Sequence, residues 1–429
     1  MTEIAETFTG TIEKLAFGGD GVLRTNGLVV FVPFTAPGDQ IEGRFTLKKK
    51  HYARGEVVRF LIYSNKRTFP RCPYFGTCGG CQLQHIVYEE QVASKGEMVA
   101  EALLRIGKQS KIPLFSTKAS PSPWTYRRHI TLHLREVNGA FQTGYYALDN
   151  QTLLAVQECP IFCEESDPVL REIYPLLDFL KPAAKEIGRL TVIKRGDGGY
   201  LLALQLSNKV KGVEDLLKHS PFAGTIVKVG QNLSGQNLSK VGRTDLHYTY
   251  QDLSFEFSPF AFIQNHPEQS HAIYQHIVET VDKGPVFDLY CGVGVTTLLL
   301  ARRGFEVVGI ESHPMAVELA RKNSNKLQIP AEFVCADAGI ALKKALKEKR
   351  PSWIVVNPPR EGLDQAVVET LCSAKVEGLI YVSCMPSTLA RDTQLLRGAG
   401  YHLTSCQPFD MFPQTGHVET VAVYKNDQT

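Results

Sequence analysis

The sequence predicts an α/β protein of several domains: an OB-like β-barrel at the N-terminus, a central β-rich region and a C-terminal doubly wound α/β domain. The chain has 429 residues, which at about 100–200 residues per domain suggests two or three domains. Short β-like runs fill the first 61 residues, and strands alternate with helices after Pro285. Hydrophobic residues at 43% and charged residues at 21% match globular averages. This composition excludes a disordered, collagen-like or coiled-coil chain.

The first domain is predicted to span residues 1–61. Its β-like runs are TFTGTIEKLAF, GLVVFVPF, DQIEGRFTL and RGEVVRFLIY, and turn residues such as Gly-Gly-Asp-Gly separate them. About five short strands in so few residues are typical of a small barrel of the OB type.

Basic residues crowd the end of this barrel. Between residues 44 and 71, nine basic residues accompany one acid, Glu56, although the net charge of the whole chain is only +3. The stretch predicts contact with a phosphate backbone, with His51, Tyr52 and Phe60 as stacking partners, and a solvated charged face is the alternative. The nine residues are Arg44, Lys48, Lys49, Lys50, Arg54, Arg59, Lys66, Arg67 and Arg71.

The ten cysteines fall into more than one group. The N-terminal sequence MTEIAETFTG lacks the features of an export signal, and no apolar run reaches the ~18 residues of a membrane span, so we expect a cytoplasmic protein. In a reducing compartment, clustered cysteines indicate metal binding or catalysis. Cys72, Cys78 and Cys81, with Cys159 downstream, offer four thiolates for zinc or an iron–sulfur cluster. Cys163 is a rival for the fourth position, and spacing alone does not decide the metal.

Residues 62–265 form the second predicted domain. A helical stretch from residue 88 to 107 follows the cysteines, and residues 124 to about 260 have the pattern of β-strands. The pairs Asn138-Gly139 and Gly198-Gly199 predict hairpin turns.

Residues 266–429 form the third predicted domain, with a mostly parallel, Rossmann-like sheet. Ligands of such sheets bind beyond the carboxyl ends of the strands, and a single Gly-x-Gly turn without a phosphate-binding Lys-Ser/Thr disfavours a nucleotide. S-adenosylmethionine fits better, with Glu311 accepting the ribose hydroxyls and Asp337 the adenine amine; an ordinary tight βα turn is the alternative. The residues predicted to contact this cofactor from the strand ends are Tyr290, Gly292, Gly294, Glu311, Asp337 and Asn357.

Cys384 stands between an apolar strand, LIYV, and a helix predicted to begin at Ser387. A helix N-terminus lowers the pKa of a nearby thiol and so increases its thiolate fraction. The sequence therefore predicts a nucleophile at Cys384, and a buried core thiol is the alternative.

These features resemble a known family, the RNA uracil-C5-methyltransferases, which are class I methyltransferases acting on 23S rRNA or tRNA. The resemblance covers nearly the whole chain, and its first 60 residues look like the RNA-binding TRAM domain. The motifs that carry it are Phe262-Ile263-Gln264, Asp288 to Gly294, Ser383 to Asp392, and Gln414 to Glu419.

The resemblance implies methyl transfer from S-adenosylmethionine to carbon 5 of a uridine, most readily in 23S rRNA. It assigns nucleophilic attack on carbon 6 to Cys384 and removal of the carbon 5 proton to Glu419. It also implies cofactor contact for Gln264 and Tyr290. A target base must be flipped out of its stack, and Phe262 precedes the catalytic domain at a suitable place to receive it.

The resemblance also favours a [4Fe–4S] cluster on the four cysteines, because a subset of the family carries one where the fourth ligand stands in a Cys-Pro pair, here Cys159-Pro160. We expect this cluster to be structural. The implied partner is RNA and the implied state is a monomer without a membrane contact. The predicted cluster ligands are Cys72, Cys78, Cys81 and Cys159.

Three positions depart from the commonest family pattern: Asn357 for an aspartate, Met385 for an asparagine and His266 for an asparagine. They leave open a catalytically impaired RNA-binding member of the fold, and a tRNA methyltransferase is the other alternative. A cytosine-C5-methyltransferase is disfavoured because the loop at Asn357 lacks a Pro-Cys pair. Arg127 and Arg128 are interpreted as exposed strand residues, with contact to an RNA backbone as the alternative.

Overall fold

A computed structural model of the protein describes residues 6–137, 139–164, 167–180, 185–218, 220–230, 238–374 and 376–426. Within these ranges the chain forms three large β-sheets and a two-stranded hairpin. Asn138, predicted to lie in a turn, is outside the described residues. The described ranges contain no helix long and apolar enough to cross a membrane.

The N-terminal strands are β1 Thr7–Thr11, β2 Lys14–Leu15, β3 Gly21–Thr25, β4 Leu28–Val32, β5 Gln40–Lys48 and β6 Tyr52–Ile62. They form one sheet in the order β1-β5-β6-β4-β3-β2, with one strand more than predicted. Phe8 is buried at its centre, where a Cβ on Gly43 or Gly55 would come within 2.4 or 2.6 Å of the Phe8 ring. The other buried residues of this core are Ile12, Leu23, Val30, Val32, Ile41 and Ala53.

The positive charge that accumulates along the sequence of this domain is largely compensated in three dimensions. Seven of the nine basic residues form ion pairs, six of them with acids that lie outside residues 44–71. Phe60 is engaged as well, since it stacks on Tyr63 at 4.7 Å between ring centroids and Arg67 covers it at 4.7 Å. The pairs are Arg44–Glu56, Lys48–Glu6, Arg54–Asp20, Arg59–Glu42, Lys66–Glu90, Arg67–Asp39 and Arg71–Glu164.

Helix α1, Tyr88–Arg105, confirms the helix predicted after the cysteines. Met98 packs with the barrel residue Leu15, and Leu103 packs with Val418 near the C-terminus, so α1 lies between these two parts of the chain. Lys95 is fully buried and forms an ion pair with the fully buried Asp410 at 2.5 Å.

The central region contains β7 His129–Val137, β8 Ala140–Tyr146, β9 Leu153–Ala155, α2 Ile173–Leu180, β10 Ile187–Lys194, β11 Tyr200–Leu206, α3 Val213–Leu217, β12 Gly224–Val229 and β13 Leu238–Gly242. The strands form a seven-stranded sheet in the order β13-β12-β11-β10-β7-β8-β9, which confirms the β-rich pattern. The Gly198-Gly199 turn is also confirmed, with φ of 88° and 75°. Helices α2 and α3 were not expected, because both are short. A hairpin follows, β14 His247–Tyr250 and β15 Leu253–Glu256.

The C-terminal region contains α4 Pro267–Thr280, β16 Val286–Leu289, α5 Val295–Arg302, β17 Val307–Glu311, α6 Pro314–Leu327, β18 Glu332–Cys335, α7 Ala338–Glu348, β19 Trp353–Val356, α8 Gln365–Ala374, β20 Gly378–Ser383, α9 Pro386–Gly398, β21 Tyr401–Phe409 and β22 Glu419–Asn426. The sheet order is β18-β17-β16-β19-β20-β22-β21, and the five strands from β18 to β20 are parallel. Strand β22 runs antiparallel to both of its neighbours. The doubly wound fold predicted from the alternating strands and helices is therefore present.

The buried ion pair between α1 and the segment after β21 gives a stability prediction. We expect Lys95→Met to lower the free energy of unfolding by about 3–5 kcal/mol, because it leaves the Asp410 carboxylate buried without its cation. Urea unfolding of the variant measures this loss. Lys322→Met, which removes the exposed pair with Glu256, is the control and should cost less than about 1 kcal/mol. Equal losses in the two variants would contradict a special role for the buried pair.

Candidate active site

The predicted site residues meet at one edge of the C-terminal sheet. In sheet order, β17 ends at Glu311, β16 precedes Tyr290, β19 precedes Asn357 and β20 precedes Cys384. Strand β22 is antiparallel and begins at Glu419, so its first residue lies at the same edge. The edge includes the point between β16 and β19 where the strand order reverses, which is where ligands of such sheets bind.

A pocket opens at this reversal point. Its wall includes the segment before α4, where Gln264 is 7% exposed and Phe262, at 69%, is open to solvent. The apolar side chains Ile273 and Ile277 of α4 contribute to another side. The predicted cofactor contacts that line it are Gln264, Tyr290, Gly292 and Asn357.

The turn after β16 is held in an unusual backbone conformation. Tyr290 has a φ of 62°, a left-handed conformation that costs a residue with a side chain about 1–3 kcal/mol. A Cβ on Gly292 would meet only the carbonyl oxygen of Phe262, at 3.8 Å, so this glycine leaves room beside the pocket. A Cβ on Gly294 would be 3.0 Å from atoms of Ala320 and Phe333. Gly294 also has a φ of 84° at the N-cap of α5, so the left-handed backbone and the close packing both favour glycine, and the motif did not suggest the packing role.

The two acids predicted to bind the nucleoside have backbone partners of their own. Glu311 Oε2 accepts from the Gly292 N–H at 3.1 Å, and Oε1 accepts from the His313 N–H at 2.8 Å. These bonds orient the carboxylate. Ser312 Oγ also donates to Oε1 at 3.3 Å, so Oε2 is the oxygen that keeps a second lone pair for a ligand. Asp337 is exposed, and its Oδ1 accepts two N–H groups of α7 at 3.0 and 3.1 Å. This capping role was not expected, and contact of Asp337 with adenine stays a prediction.

Asp288 is a pocket residue to which the sequence analysis gave no role of its own. It is 2% exposed in the middle of β16 and lines the pocket. Thr297 Oγ1 donates to its Oδ2 at 2.6 Å. Burial raises the pKa of Asp288 to about 7, against the opposing effect of the Thr297 hydrogen bonds. A carboxylate inside the otherwise apolar strand Val-Phe-Asp-Leu is the sequence signal that identifies it.

Strand pairing brings the predicted nucleophile and base together. Ser383 of β20 pairs with Thr420 of β22, so Cys384 and Glu419 occupy the next position towards the pocket edge. Residues opposite each other on antiparallel strands have Cα atoms about 4.5–5.5 Å apart. Cys384 is half-buried and Glu419 is 3% exposed. Helix α9 begins at Pro386, one residue before the predicted start.

Burial decides the protonation of both groups. It raises the pKa of Glu419 to about 8, and Arg360 opposes this shift. Burial, followed by the nearby Glu419, raises the pKa of Cys384 to about 11, again against Arg360. The expectation that the helix N-terminus lowers the thiol pKa is therefore wrong for this state, because loss of solvation outweighs it. A carboxyl group with a pKa near 8 is suited to proton transfer near neutral pH.

Arg360 is the cation that faces this pair, and the sequence analysis did not assign it. Its charge favours the ionised forms of Cys384 and Glu419. Thr388 Oγ1 donates to the Arg360 carbonyl at 3.3 Å, which fixes the loop against α9. Arg360 ends the Asn-Pro-Pro-Arg segment that follows β19. Its position just after a strand end could have identified it, but only Asn357 of this segment was given a role.

Two of the positions that depart from the family pattern have structural roles. His266 is fully buried at the N-terminus of α4, where Ser120 Oγ lies 2.6 Å from its Nε2 and Tyr126 stacks on its ring at 4.7 Å. Burial lowers the pKa of His266 to about 3. Met385 is the N-cap residue of α9 and makes no side-chain capping bond. His266 therefore joins α4 to the central region and does not line the pocket.

A second pocket contains the predicted cluster ligands. Burial raises the pKa of Cys81 to about 11 and that of Cys159 to about 12. Cys163, the rival for the fourth position, packs in the core of the central sheet. In the described part of the chain, no group of three or more His, Cys, Asp or Glu side chains has the geometry to hold a metal. The four free cysteines that line the pocket are Cys72, Cys78, Cys81 and Cys159.

Arg127 and Arg128 do not have the exposed positions that we expected. Arg127 lines the cysteine pocket, and its Nε is buried without a hydrogen-bond partner. The guanidinium of Arg128 lies over Tyr248 at 4.6 Å and Phe257 at 5.6 Å. The reason is local: Asn265 Oδ1 and Nδ2 bond to the backbone of the adjacent His129, so the start of β7 is held against the segment before α4.

Comparison with known proteins agrees with this geometry. A family profile described as tRNA (Uracil-5-)-methyltransferase matches residues 236–426, and one described as the TRAM domain of tRNA (uracil(54)-C(5))-methyltransferase matches residues 8–56. A relative from Protochlamydia amoebophila, described as an uncharacterized RNA methyltransferase, is 42% identical over 97% of each chain. A relative from Halalkalibacterium halodurans with the same description is 32% identical over 96% of this chain and 95% of its own.

The chain belongs to the RNA uracil-C5-methyltransferase family. It is therefore an S-adenosylmethionine-dependent RNA methyltransferase with an N-terminal TRAM domain. A solved structure agrees with this assignment: the Pyrococcus abyssi tRNA (uracil-54, C5)-methyltransferase in complex with S-adenosyl-L-homocysteine. That structure matches with a TM-score of 0.75 and 25% identity, over 97% of this chain and 100% of that chain.

The raised pKa of Glu419 predicts a pH-dependent loss of stability. Between pH 4.5 and 8, the unfolded state releases the Glu419 proton while the folded state keeps it, so rising pH favours unfolding. We expect Glu419→Gln to match the wild type at pH 5 and to exceed it at pH 8.5 by roughly 2–4 kcal/mol. Thermal or urea unfolding at both pH values measures the difference.

The control for this comparison is Glu318→Gln, which changes an exposed acid on α6. Its stability should follow that of the wild type at both pH values. A constant difference between Glu419→Gln and the wild type across this pH range would contradict the raised pKa.

Proposed function

We propose that this enzyme transfers a methyl group from S-adenosylmethionine to carbon 5 of a uridine in RNA, through a covalent adduct between Cys384 and carbon 6. The observation that carries the proposal is the pairing of β20 with β22, which sets Cys384 beside Glu419 at the edge that also holds the cofactor pocket. Neither residue alone would support it.

The chemistry follows from the poor nucleophilicity of carbon 5 in an intact uracil. The Cys384 thiolate adds to carbon 6, and the electron pair of the 5,6 double bond moves to form an enolate. Carbon 5 of the enolate then attacks the sulfonium methyl group, and S-adenosylhomocysteine leaves. Removal of the carbon 5 proton restores the double bond and expels the Cys384 thiolate.

Glu419 is the proposed base for the last step. A pKa of about 8 makes the Glu419 carboxylate a stronger proton acceptor than an ordinary glutamate, and Arg360 favours the ionised form that accepts the carbon 5 proton. The Arg360 guanidinium supports the first step, since its charge favours the Cys384 thiolate. Binding of the base would exclude further water from this edge, which strengthens both electrostatic effects.

The proposed cofactor contacts are the strand-end residues and the segment before α4. Gln264, Tyr290, Gly292 and Asn357 support this by lining the pocket, and Glu311 supports it through its position beside Gly292. Gly294 and Asp337 belong to the proposed set through the motif and the strand end. Phe262 is proposed to stack on the flipped uracil, which agrees with its exposure at the pocket rim.

We propose 23S rRNA as the substrate, on the resemblance of the sequence motifs, and tRNA as the alternative. The names of the matching profile and of the Pyrococcus abyssi enzyme refer to tRNA.

The proposed boundaries are residues 1–61 for the RNA-binding barrel, 62–265 for the central domain and 266–429 for the catalytic domain. We propose that the enzyme acts as a monomer in the cytoplasm, where its RNA substrate is made.

A [4Fe–4S] cluster on Cys72, Cys78, Cys81 and Cys159 remains part of the proposal. The donor set suits it, because four free thiols line one pocket. The buried, unpartnered Nε of Arg127 at the same pocket also suits it, since a cluster with four thiolates carries the negative charge that a buried guanidinium requires. Such a cluster would supply a rigid link between the cysteine segment and the central sheet, without a redox step.

Substitution of the catalytic pair tests the proposed reaction. With an unmodified RNA transcript, we expect Cys384→Ala to lose turnover by roughly a thousandfold or more while S-adenosylmethionine binding is kept. Glu419→Gln should accumulate a covalent protein–RNA adduct, seen as a shifted band in a denaturing gel, because addition proceeds and elimination does not. Cys372→Ala, which changes a half-buried cysteine of α8, is the matched control and should retain activity.

The same assay with 23S rRNA and tRNA transcripts decides the substrate. Methylation of the 23S transcript supports the proposal, and methylation of tRNA alone assigns the alternative. Cofactor binding without methylation of either RNA would indicate the catalytically impaired member of the fold. Full activity of Cys384→Ala would remove the covalent mechanism.

Metal analysis tests the cluster. Anaerobically purified enzyme should contain about four iron atoms per chain and absorb near ~400 nm. Cys78→Ser should lose this iron, whereas Cys163→Ser should keep it, because Cys163 is not among the residues that line the cysteine pocket. A colourless protein with stoichiometric zinc would overturn the choice of metal.

A further inference from the structure

The segment 410–418, which joins β21 to β22 and leads directly into Glu419, is an unusual connection. Most connections run over the protein surface because their backbone groups need water. Here Gln414 is 2% exposed, and Asp410, Thr415 and Val418 are fully buried. Gln414 also has a φ of 69°, so its side chain stands on a left-handed backbone. Such a conformation persists only where surrounding contacts enforce it.

The first set of enforcing contacts comes from α1. The Gln91 side chain binds Gln414 twice: Gln91 Nε2 donates to Gln414 Oε1 at 3.0 Å, and the Gln414 N–H donates to Gln91 Oε1 at 3.0 Å. Lys95 donates to the Phe412 carbonyl at 2.9 Å and pairs with Asp410. All of these groups are enclosed, so their bonds are costly to break.

The second set comes from the residues directly after the third cysteine. The N–H groups of Gln82 and Leu83 donate to the Gln414 carbonyl at 3.1 and 3.0 Å. The Gly416 N–H donates to Gln82 Oε1 at 3.3 Å. Cys81, the residue before them, lines the cysteine pocket. The connection is therefore bonded to the two residues that directly follow a residue of the cysteine pocket.

The third set comes from the RNA-binding barrel. The Gly18 N–H donates to the Gly416 carbonyl at 3.2 Å, and the Phe17 ring lies 5.6 Å from the His417 ring. A Cβ on Gly416 would lie 2.3 Å from the carbonyl carbon of Gly18 and 2.5 Å from the Gly19 nitrogen. The two backbones approach too closely for any side chain at Gly416.

We propose that the segment 410–418 is a positioning element for Glu419, and that the barrel and the cysteine segment complete the active site by holding it. Gln91, Gln82 and Gly416 are its positioning residues. The barrel then acts on the chemical step as well as on RNA affinity. This inference rests on the proposed role of Glu419 as the base that resolves the covalent adduct.

Two substitutions test the inference with different severity. Gly416→Ala forces the connection away from the barrel turn. Gln91→Met removes both bonds to Gln414, together with the bonds of Gln91 Nε2 to the Leu83 and Ile86 carbonyls, with little change in volume. In both variants we expect kcat for 5-methyluridine formation to fall by about tenfold or more, since small misplacements of a catalytic group are costly. KM for RNA should stay within about threefold of the wild-type value. S-adenosylmethionine binding, measured by calorimetry, should not change.

The amount of covalent adduct is the readout that separates a positioning role from a purely structural one. A displaced Glu419 slows elimination but leaves addition by Cys384 in place, so the adduct should accumulate in both variants as it does in Glu419→Gln. Gly398→Ala, at the end of α9 with no atom within 4 Å of the added Cβ, is the matched control and should form no excess adduct. If Gly416→Ala does not bind S-adenosylmethionine, its fold is disturbed, and the kcat and adduct level of Gln91→Met then test the positioning role.

The outcomes separate the inference from the proposed function. If Glu419→Gln traps the adduct and Gln91→Met has wild-type kcat, or has a raised KM with unchanged kcat, the positioning role is overturned. If Glu419→Gln itself traps no adduct, the proposed role of the base fails, and the inference fails with it. Accumulated adduct with lowered kcat supports both.

Discussion

Strand β22 lies antiparallel beside β20, and this pairing decides what the edge of the sheet contains. A parallel strand would bring its carboxyl end to the pocket, whereas β22 brings its first residue, Glu419. The carboxyl group therefore arrives next to Cys384, which follows β20. Side chains alternate between the two faces of a strand, so a shift of one residue in register would move Glu419 to the other face. Both strands are buried apart from the half-buried Lys425 of β22. Hydrophobic packing thus fixes the spacing of the two groups.

The pairing requires a connection that is itself well held, and distant parts of the chain provide this. The barrel turn at Gly18, the residues after Cys81 and the buried face of α1 all bind the segment 410–418. Their hydrogen bonds satisfy backbone groups that would otherwise be buried without partners. Through these contacts the three regions, each with its own sheet, are held together next to the candidate active site.

The sequence was sufficient for the C-terminal sheet because buried parallel strands are continuous apolar runs, as in β19 and β20, and the site residues follow them directly. Helix α2 was missed because it is only eight residues long and has Pro175 in its first turn. The ion pairs of Arg54 and Arg59 could not be predicted, since Asp20 lies just before β3 and Glu42 lies on β5, both distant in sequence. The pKa of Cys384 was expected in the wrong direction because position in the chain does not report burial.

In the proposed reaction, carbon 5 of a uridine loses a proton and gains a methyl group at this edge. Tritium release measures this directly, with a transcript that carries [5-³H]uridine and unlabelled S-adenosylmethionine. We expect the enzyme to release tritium into water in a one-to-one ratio with methyl groups incorporated, and Cys384→Ala to release none. Methyl transfer without tritium release would exclude carbon 5 as the acceptor, because the methyl group would then have gone to another atom of the RNA.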